Sequence, residues 1–197
     1  MISGTPASGK DAIFEFLASN YINYSQFKKH KAGAGGKADA SYIHISEADF
    51  QVKSGLNEFI QSHSRYGRHY GVSRQEIETL WGDGKTPIIH IGSYKNIQPF
   101  MDIKDVSIFS VLLLTSRLET LNRLEERHQN NQEEIKSRLA AYDEERIELA
   151  KLVKDGVAIN FDLILDNTRL SIALAGKIIN DARSTLSTTS LDSDTHD

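Results

Sequence analysis

Short apolar runs alternate with longer amphipathic segments along the chain. Apolar runs bounded by turn residues predict strands, whereas apolar residues at three- and four-residue spacing predict helices. The predicted strands are 21–27, 41–45, 56–63, 87–91, 106–114 and 161–165, and the predicted helices are 12–18, 73–81, 116–124, 131–154 and 170–182. This alternation is typical of an α/β fold in which a parallel sheet is flanked by helices, with ligands at the carboxyl ends of the strands.

Polar residues mark where helices begin and where regular structure ends. Ser46, Ser73 and Ser116 each precede a helical segment, so each is expected to cap its helix by accepting a backbone N–H. Residues 28–37 combine lysines with a Gly/Ala-rich run and predict a mobile basic loop. Residues 184–197, rich in Ser, Thr and Asp, predict a disordered tail, which leaves 1–183 as a single domain.

Composition narrows the class of protein. The net charge is −4 and the chain has no cysteine, which argues against a broad nucleic-acid surface and excludes disulfides and thiolate metal sites. The longest apolar run is too short to span a bilayer. The histidines lack metal-ligand spacing, which argues against a metal cage built from protein side chains. We expect a cytoplasmic protein that binds neither membranes nor nucleic acid, and we leave its oligomeric state open.

The segment from Gly4 to Asp11 carries the strongest chemical signal. Its sequence, GTPASGKD, fits G-x-x-x-x-G-K, a loop whose backbone N–H groups surround phosphate oxygens while a lysine reaches the outer phosphates. We expect the phosphates of a nucleotide to bind the loop through Gly4, Thr5, Pro6, Ala7, Ser8, Gly9, Lys10 and Asp11. The alternative is a Gly/Ser turn before an ordinary helix. Only three residues precede Gly4, so either the first strand is short or the given sequence lacks part of it.

Asp11 stands where such loops usually have Ser or Thr. That hydroxyl binds Mg²⁺, and a carboxylate is also a hard oxygen ligand. Asp11 is therefore a candidate metal ligand. The alternative is that its charge only stabilises the first turn of the helix.

Two groups of cations could contact further phosphates. Arg123, Arg127 and Arg138 lie on successive helical segments that could close over a nucleotide, although Glu119 and Glu126 are placed for ordinary ion pairs on a helix surface. Lys28 to Lys31, followed by Tyr66, Arg68 and Tyr70, could bind the phosphate of a second substrate. Solvated lysines and half-buried tyrosines are the alternative.

Taken together, these segments resemble the guanylate kinase family over about residues 1–182 and in the family's order. The loop resembles the family's phosphate loop, and each remaining segment resembles a further motif. The segments are Lys28-x-x-Lys31, Tyr42 to Ser46, His69 to Val72, the lid segments 116–127 and 135–139, and Asp166-Asn167.

The resemblance implies a fold, a reaction and a set of site residues. The fold would be a P-loop kinase with an acceptor-binding region at about 24–72 and a helical lid at about 123–142. The reaction would be transfer of the γ-phosphate of ATP to GMP with Mg²⁺. Catalysis would use Lys10, Arg123, Arg127 and Arg138, the acceptor would bind Lys28, Lys31, Tyr42, Ser64, Tyr70 and Gly71, and Asn167 would lie near adenine.

The chain departs from the family at the positions that would recognise guanine. Tyr24 stands where the family has Ser, Ser64 where it has Glu, and Val72 where it has Ser or Thr. The alignment contains a length difference near Ser64, so Glu58 is an alternative for the family's Glu. The family's Asp-x-Asp strand end is His90-Ile91-Gly92. Gly-Lys-Asp in the loop, Tyr-Gly-Val and Gly92-Ser93 resemble a sister group, the ribose 1,5-bisphosphate phosphokinases.

Three functions follow from these observations. The leading one is an ATP- and Mg²⁺-dependent kinase for a small phosphorylated acceptor, with GMP first. The second is ribose 1,5-bisphosphate phosphorylation. The third is a catalytically weakened guanylate-kinase-like module that binds without turnover.

Overall fold

The structure is a computed structural model that describes residues 1–33, 42–65, 67–92, 96–103, 106–129, 131–155 and 161–192. The strands are β1 (Ile2–Gly4), β2 (Tyr24–Gln26), β3 (Lys29–Ala32), β4 (Tyr42–His44), β5 (Phe59–Arg65), β6 (Arg68–Ser73), β7 (Thr86–Ile88), β8 (His90–Ile91), β9 (Val111–Leu114) and β10 (Leu163–Asp166). The helices are α1 (Lys10–Asn20), α2 (Glu47–Gly55), α3 (Arg74–Gly82), α4 (Gln98–Met101), α5 (Arg117–Arg127), α6 (Gln132–Lys154) and α7 (Ile172–Asp192). This architecture confirms the predicted α/β class.

The chain forms two compact units. The first comprises 1–20, 90–94 and 109–197, and its parallel sheet has the strand order β10-β9-β1-β8. The first strand is short, because β1 has three residues, and it is buried between β9 and β8. Helices α1 and α7 pack together in this unit. None of its described helices, nor any other described helix, has the length and apolarity needed to cross a membrane.

The second unit comprises 21–89 and 95–108. It contains the parallel pair β2–β7 and a four-stranded mixed sheet in the order β4-β3-β6-β5. Helix α2 packs against this sheet through Phe50, whose ring centroid lies 4.8 Å from that of Phe59. The predicted acceptor-binding region, 24–72, falls within this unit, and the assignment of 1–183 to a single domain stays a prediction.

Local capping is as predicted at the three serines. The hydroxyls of Ser46, Ser73 and Ser116 accept hydrogen bonds from the backbone N–H groups of Asp49, Glu76 and Glu119. These bonds satisfy donors that the first turn of a helix leaves without partners. The helix starts could therefore be located from sequence alone.

Two predictions of irregular structure are wrong. Residues 29–32 are not part of a mobile loop but form β3, which pairs with β4 on one side and β6 on the other. Residues 184–192 are helical rather than disordered, because α7 continues to Asp192. Ser184 and Thr185 donate their hydroxyls to the carbonyls of Asn180 and Asp181, four residues back in the helix. Residues 193–197 lie outside the described part of the chain.

Candidate active site

The loop between β1 and α1 requires glycine at two positions. Gly4 and Gly9 have φ values of 150° and 94°. A Cβ added to Gly4 would lie 2.6 Å from the carbonyl oxygen of Leu113, and one added to Gly9 would lie 2.6 Å from the amide nitrogen of Asn167. The glycines therefore let the loop backbone approach its neighbours more closely than side chains would permit.

The ammonium of Lys10 folds back over this loop. Its Nζ donates to the carbonyl oxygens of Gly4 at 2.6 Å and Thr5 at 2.8 Å, and to the Ser8 hydroxyl at 3.4 Å. Lys10 is also the first residue of α1, and the first N–H groups of a helix have no partners within it. A cation and a helix N-terminus at one loop favour phosphate or another anion.

Two side chains from other elements contact the loop backbone. Asn167 donates from Nδ2 to the carbonyl oxygen of Ser8 at 2.8 Å. Arg123 donates to the carbonyl oxygen of Ala7 at 3.1 Å and to that of Asn167 at 2.8 Å. Asn167 is only 3% exposed, so its amide supports the loop in this structure. Its contact with adenine stays a prediction.

The end of β10 places Asn167 under the loop. The Asn167 N–H donates to the carbonyl oxygen of Leu114 at 2.7 Å, which extends the pairing of β10 with β9 by one residue. Directly before it, Asp166 accepts hydrogen bonds from the Thr168 hydroxyl and N–H at 2.6 and 2.9 Å. These bonds lower the pKa of the Asp166 carboxyl and turn the chain sharply after Asn167.

Replacing Asn167 with alanine should destabilise the first unit. The substitution leaves the Ser8 carbonyl without its hydrogen-bond donor in a buried position, and such losses lower the free energy of unfolding by about 1–3 kcal/mol. Urea unfolding measures the change. Asn180→Ala is the matched control, because the Asn180 amide donates to the exposed side chain of its neighbour Asp181 rather than to a buried carbonyl. Equal losses in the two variants would contradict the supporting role of Asn167.

Asp11 could hold a metal ion together with bound phosphates. Its side chain is 66% exposed in the first turn of α1, and Oδ1 lies 3.9 Å from Nδ1 of His90. Among the described residues, no group of three or more His, Cys, Asp or Glu side chains is arranged to hold a metal. Mg²⁺ suits such a place, because it retains water and binds through few carboxylates plus substrate phosphates.

The three lid arginines occupy different environments. Arg123 contacts the loop and also donates from Nε to Glu119 at 2.8 Å. Arg138 pairs with Glu134 at 2.7 Å, as an ordinary i,i+4 pair on α6. Arg127 is exposed near the end of α5. Of the three, only Arg123 therefore contacts the loop in this structure, although all three were predicted catalytic residues.

His128 follows Arg127 at the end of α5. Burial, together with the charges of Arg138 and Arg127, lowers the pKa of its imidazole.

In the second unit, one face of the mixed sheet gathers the predicted acceptor residues Lys31, Tyr42 and Tyr70. The Lys31 ammonium lies 5.0 Å from the centroid of the Tyr42 ring, and the rings of Tyr42 and Tyr70 are 5.6 Å apart. Lys31 is only 6% exposed, and no carboxylate pairs with it among the residues that the structure describes. Its buried charge is suited to bind an anion.

Three other predicted acceptor residues do not join this face. Ser64 bonds His69 Nδ1 at 2.7 Å, and His69 contacts Phe50 of α2, so Ser64 lies on the opposite face. Gly71 also serves that face, because a Cβ there would lie 2.7 Å from the Phe59 ring. Lys28 is exposed before β3 begins. Side chains alternate between the faces of a sheet, and the spacing of short motifs did not reveal which residues pointed which way.

Three further residues lie on the Lys31 face; sequence reasoning missed His63 and Gln61, and included Lys29 only as part of the Lys28–Lys31 cluster. Lys29, two positions before Lys31 on β3, is 4% exposed and pairs in register with Tyr42. His63 stacks on Tyr70 with ring centroids 5.2 Å apart. Gln61 bonds His63 at 3.1 Å. A period-two pattern, with Lys29 and Lys31 on one face of β3 and Gln61 and His63 on one face of β5, was the signal that could have grouped these residues.

Comparison with known proteins finds guanylate kinases among the relatives of the chain. No protein-family model matches the chain. Guanylate kinases from Clostridium tetani and Bartonella henselae are 27% and 32% identical over 73% and 71% of the chain. The guanylate kinase of Mycoplasmopsis pulmonis is 28% identical over 53% of the chain. These three alignments span 70%, 64% and 55% of the relatives' own lengths.

A solved structure supports the fold over nearly the whole chain. The crystal structure of guanylate kinase from Anaplasma phagocytophilum matches with a TM-score of 0.64 and 17% identity, covering 94% of this chain and 85% of that one. At this identity the match supports the fold and not the substrate. The resemblance to ribose 1,5-bisphosphate phosphokinases stays a prediction. The relatives, the fold and the loop together support assignment of the chain to the guanylate kinase family.

Proposed function

We propose that this protein is an ATP- and Mg²⁺-dependent kinase that transfers the γ-phosphate to a small phosphorylated acceptor, with GMP as the leading candidate. The observation that carries the proposal is the buried Lys31 charge, which has no carboxylate partner among the described residues. A kinase with a phosphorylated acceptor needs an anion site for each substrate. The loop of the first unit would supply one, and the Lys31 face of the second unit would supply the other.

The first unit would bind and orient the donor. Lys10 and the loop N–H groups would stabilise charge on the β- and γ-phosphates, which is the main demand of phosphoryl transfer. Asp11 would help hold Mg²⁺, which neutralises charge on the phosphates when bound. Arg123 would exchange its contact with the Ala7 carbonyl for phosphate oxygens, and Arg127 and Arg138 would approach as the lid closes.

The second unit would bind the acceptor phosphate. Lys31 would supply positive charge, while Tyr42 and Tyr70 would donate their hydroxyls. Lys29 would add a second buried cation two residues from Lys31, and Lys28 would contribute from the exposed end of β3. GMP leads among the acceptors because the relatives described above are guanylate kinases.

An acceptor panel tests this proposal. Purified protein is incubated with ATP and Mg²⁺ together with GMP, dGMP, other nucleoside monophosphates or ribose 1,5-bisphosphate, and ADP formation is followed by a coupled assay. Acceptor-dependent ADP formation with GMP is the expected result. If every acceptor is inert while calorimetry detects ATP binding, the kinase proposal is wrong and a binding module is favoured.

A further inference from the structure

Helix α5 begins with the sequence of a capping box, but its acidic side chain does not complete the box. In this motif the N-cap serine accepts the N–H of the residue three positions on, and the carboxylate of that residue accepts the serine N–H. Ser116 accepts from the Glu119 N–H at 3.2 Å. The Ser116 N–H, however, donates to the hydroxyl oxygen of Thr168 at 3.0 Å. Thr168 therefore accepts the hydrogen bond that the Glu119 carboxylate would accept in a complete box.

The Glu119 carboxylate instead bonds the guanidinium of Arg123, one turn further along α5. It accepts from Nε of Arg123 at 2.8 Å. The two terminal nitrogens of Arg123 donate to the carbonyl oxygens of Ala7 at 3.1 Å and Asn167 at 2.8 Å. Because a guanidinium is planar, a bond at Nε helps to fix the plane in which both terminal nitrogens lie. Glu119 therefore orients the edge of Arg123 that contacts the phosphate loop.

These contacts form a closed ring at the start of α5. Hydrogen bonds and one peptide bond link its members, which are Asn167, Thr168, Ser116, Glu119 and Arg123. All of them belong to the unit that contains the phosphate loop. The side chains of Arg123 and Glu119 are only 25% and 30% exposed, so water weakens their attraction less than that of a fully exposed pair. An arginine held in this way loses less conformational entropy when it binds a ligand.

We propose that Glu119 is a positioning residue of the ATP site, which acts through Arg123 by holding its guanidinium in place for the phosphates. This inference rests on the proposed kinase function. When phosphates occupy the loop, the terminal nitrogens of Arg123 exchange the Ala7 carbonyl for phosphate oxygens, while Nε stays on Glu119. A carboxylate near phosphates is unfavourable by itself, because like charges repel. Glu119 therefore strengthens nucleotide binding only while Arg123 is present.

A double-mutant cycle tests this dependence, with the dissociation constant of ATP and Mg²⁺ measured by calorimetry. In the wild-type background, Glu119→Ala should raise the dissociation constant about tenfold, because Arg123 is no longer held in place. In the Arg123→Ala background, the same substitution should leave the constant unchanged or lower it, because it then removes only a negative charge near the phosphates. An equal rise in both backgrounds, or no rise in the wild-type background, would overturn the inference.

Asp143→Ala is the matched control, because Asp143 also pairs with an arginine of α5. It accepts from Arg117 at 2.9 and 3.1 Å, and both side chains are exposed. Its loss should change the dissociation constant of ATP by less than about twofold, as expected for an exposed ion pair. A rise as large as that in Glu119→Ala would mean that any ion pair of α5 has this effect, and the specific role of Glu119 would be refuted.

Glu119→Gln keeps the test decisive if circular dichroism shows that Glu119→Ala does not fold. Glutamine retains an oxygen that can accept from Nε of Arg123, although without the charge that strengthens the bond. The dissociation constant of ATP should therefore rise only about threefold in the wild-type background, and it should not rise in the Arg123→Ala background. A rise of the same size in both backgrounds would again refute positioning through Arg123.

Two measurements on the folded proteins separate this inference from the proposed function. The acceptor KM at saturating ATP should be the same in Glu119→Ala and the wild type, because the proposed acceptor residues lie in the other unit. A wild-type protein that binds no ATP would refute the proposed function itself. A wild-type protein that binds ATP no more tightly than Glu119→Ala would refute only the role of Glu119.

Discussion

Lys10→Ala is expected to lower the turnover of ATP about 100- to 1,000-fold while the protein stays folded. The ammonium is the cation that the loop carries, and it lies within 2.8 Å of two loop carbonyls. When phosphates occupy the loop, the ammonium can move from these carbonyls to the transferring group. Removing one donor aimed at charge that develops in the transition state typically costs this factor.

The measurement is the steady-state rate in the acceptor-dependent ADP assay, with circular dichroism to confirm the fold. Lys151→Ala is the control, because Lys151 is an exposed lysine on α6 and its loss should leave the rate unchanged. A Lys10→Ala variant with wild-type turnover would show that the loop does not bind the reacting phosphates.

The features that sequence predicted best are local ones. The helix starts at Ser46, Ser73 and Ser116 follow from side chains that bond N–H groups three residues away. The phosphate loop follows from the spacing of Gly4, Gly9 and Lys10 within one short segment. Each depends on neighbours in the chain, so neither required knowledge of how distant strands pair.

The features that sequence missed depend on strand register. A run of lysines and a histidine resembles a loop, yet Lys29 to Ala32 form a strand because β4 and β6 satisfy its backbone on both sides. The choice between His63 and Ser64 depends on a single residue of register, and a shift of one residue exchanges the two faces of a strand. Motif alignment selected Ser64, whereas pairing places His63 beside Tyr70.

The arginines show the same division between local and long-range information. Arg123 and Arg127 are four residues apart on α5, so helical spacing places them on the same face. Only Arg123 reaches the loop, through Ala7, which is 116 residues away in sequence. The alternative prediction for this arginine was an ordinary ion pair with Glu119 on the helix surface. In the structure the Arg123 side chain makes both the ion pair with Glu119 and the contact with the loop.

Lys31→Met is expected to weaken acceptor binding strongly without weakening the fold. Methionine preserves the apolar stem that packs in the sheet and removes the ammonium above the Tyr42 ring. A hydrogen bond from a charged group to phosphate contributes about 1.5–3 kcal/mol to the free energy of binding. Its loss should therefore raise the acceptor KM about 10- to 150-fold. The ATP dissociation constant should not change, because the loop lies in the other unit.

Stability should respond to Lys31→Met in the opposite direction from binding. A buried ammonium without a carboxylate partner is unfavourable in the free protein, and an apolar residue of similar volume avoids that desolvation. The melting temperature should therefore equal or exceed that of the wild type. Lys28→Met provides the comparison, since exposed Lys28 should affect both quantities less. A lower melting temperature with an unchanged acceptor KM would mean that Lys31 is a structural residue, and the second phosphate site would have to be sought elsewhere.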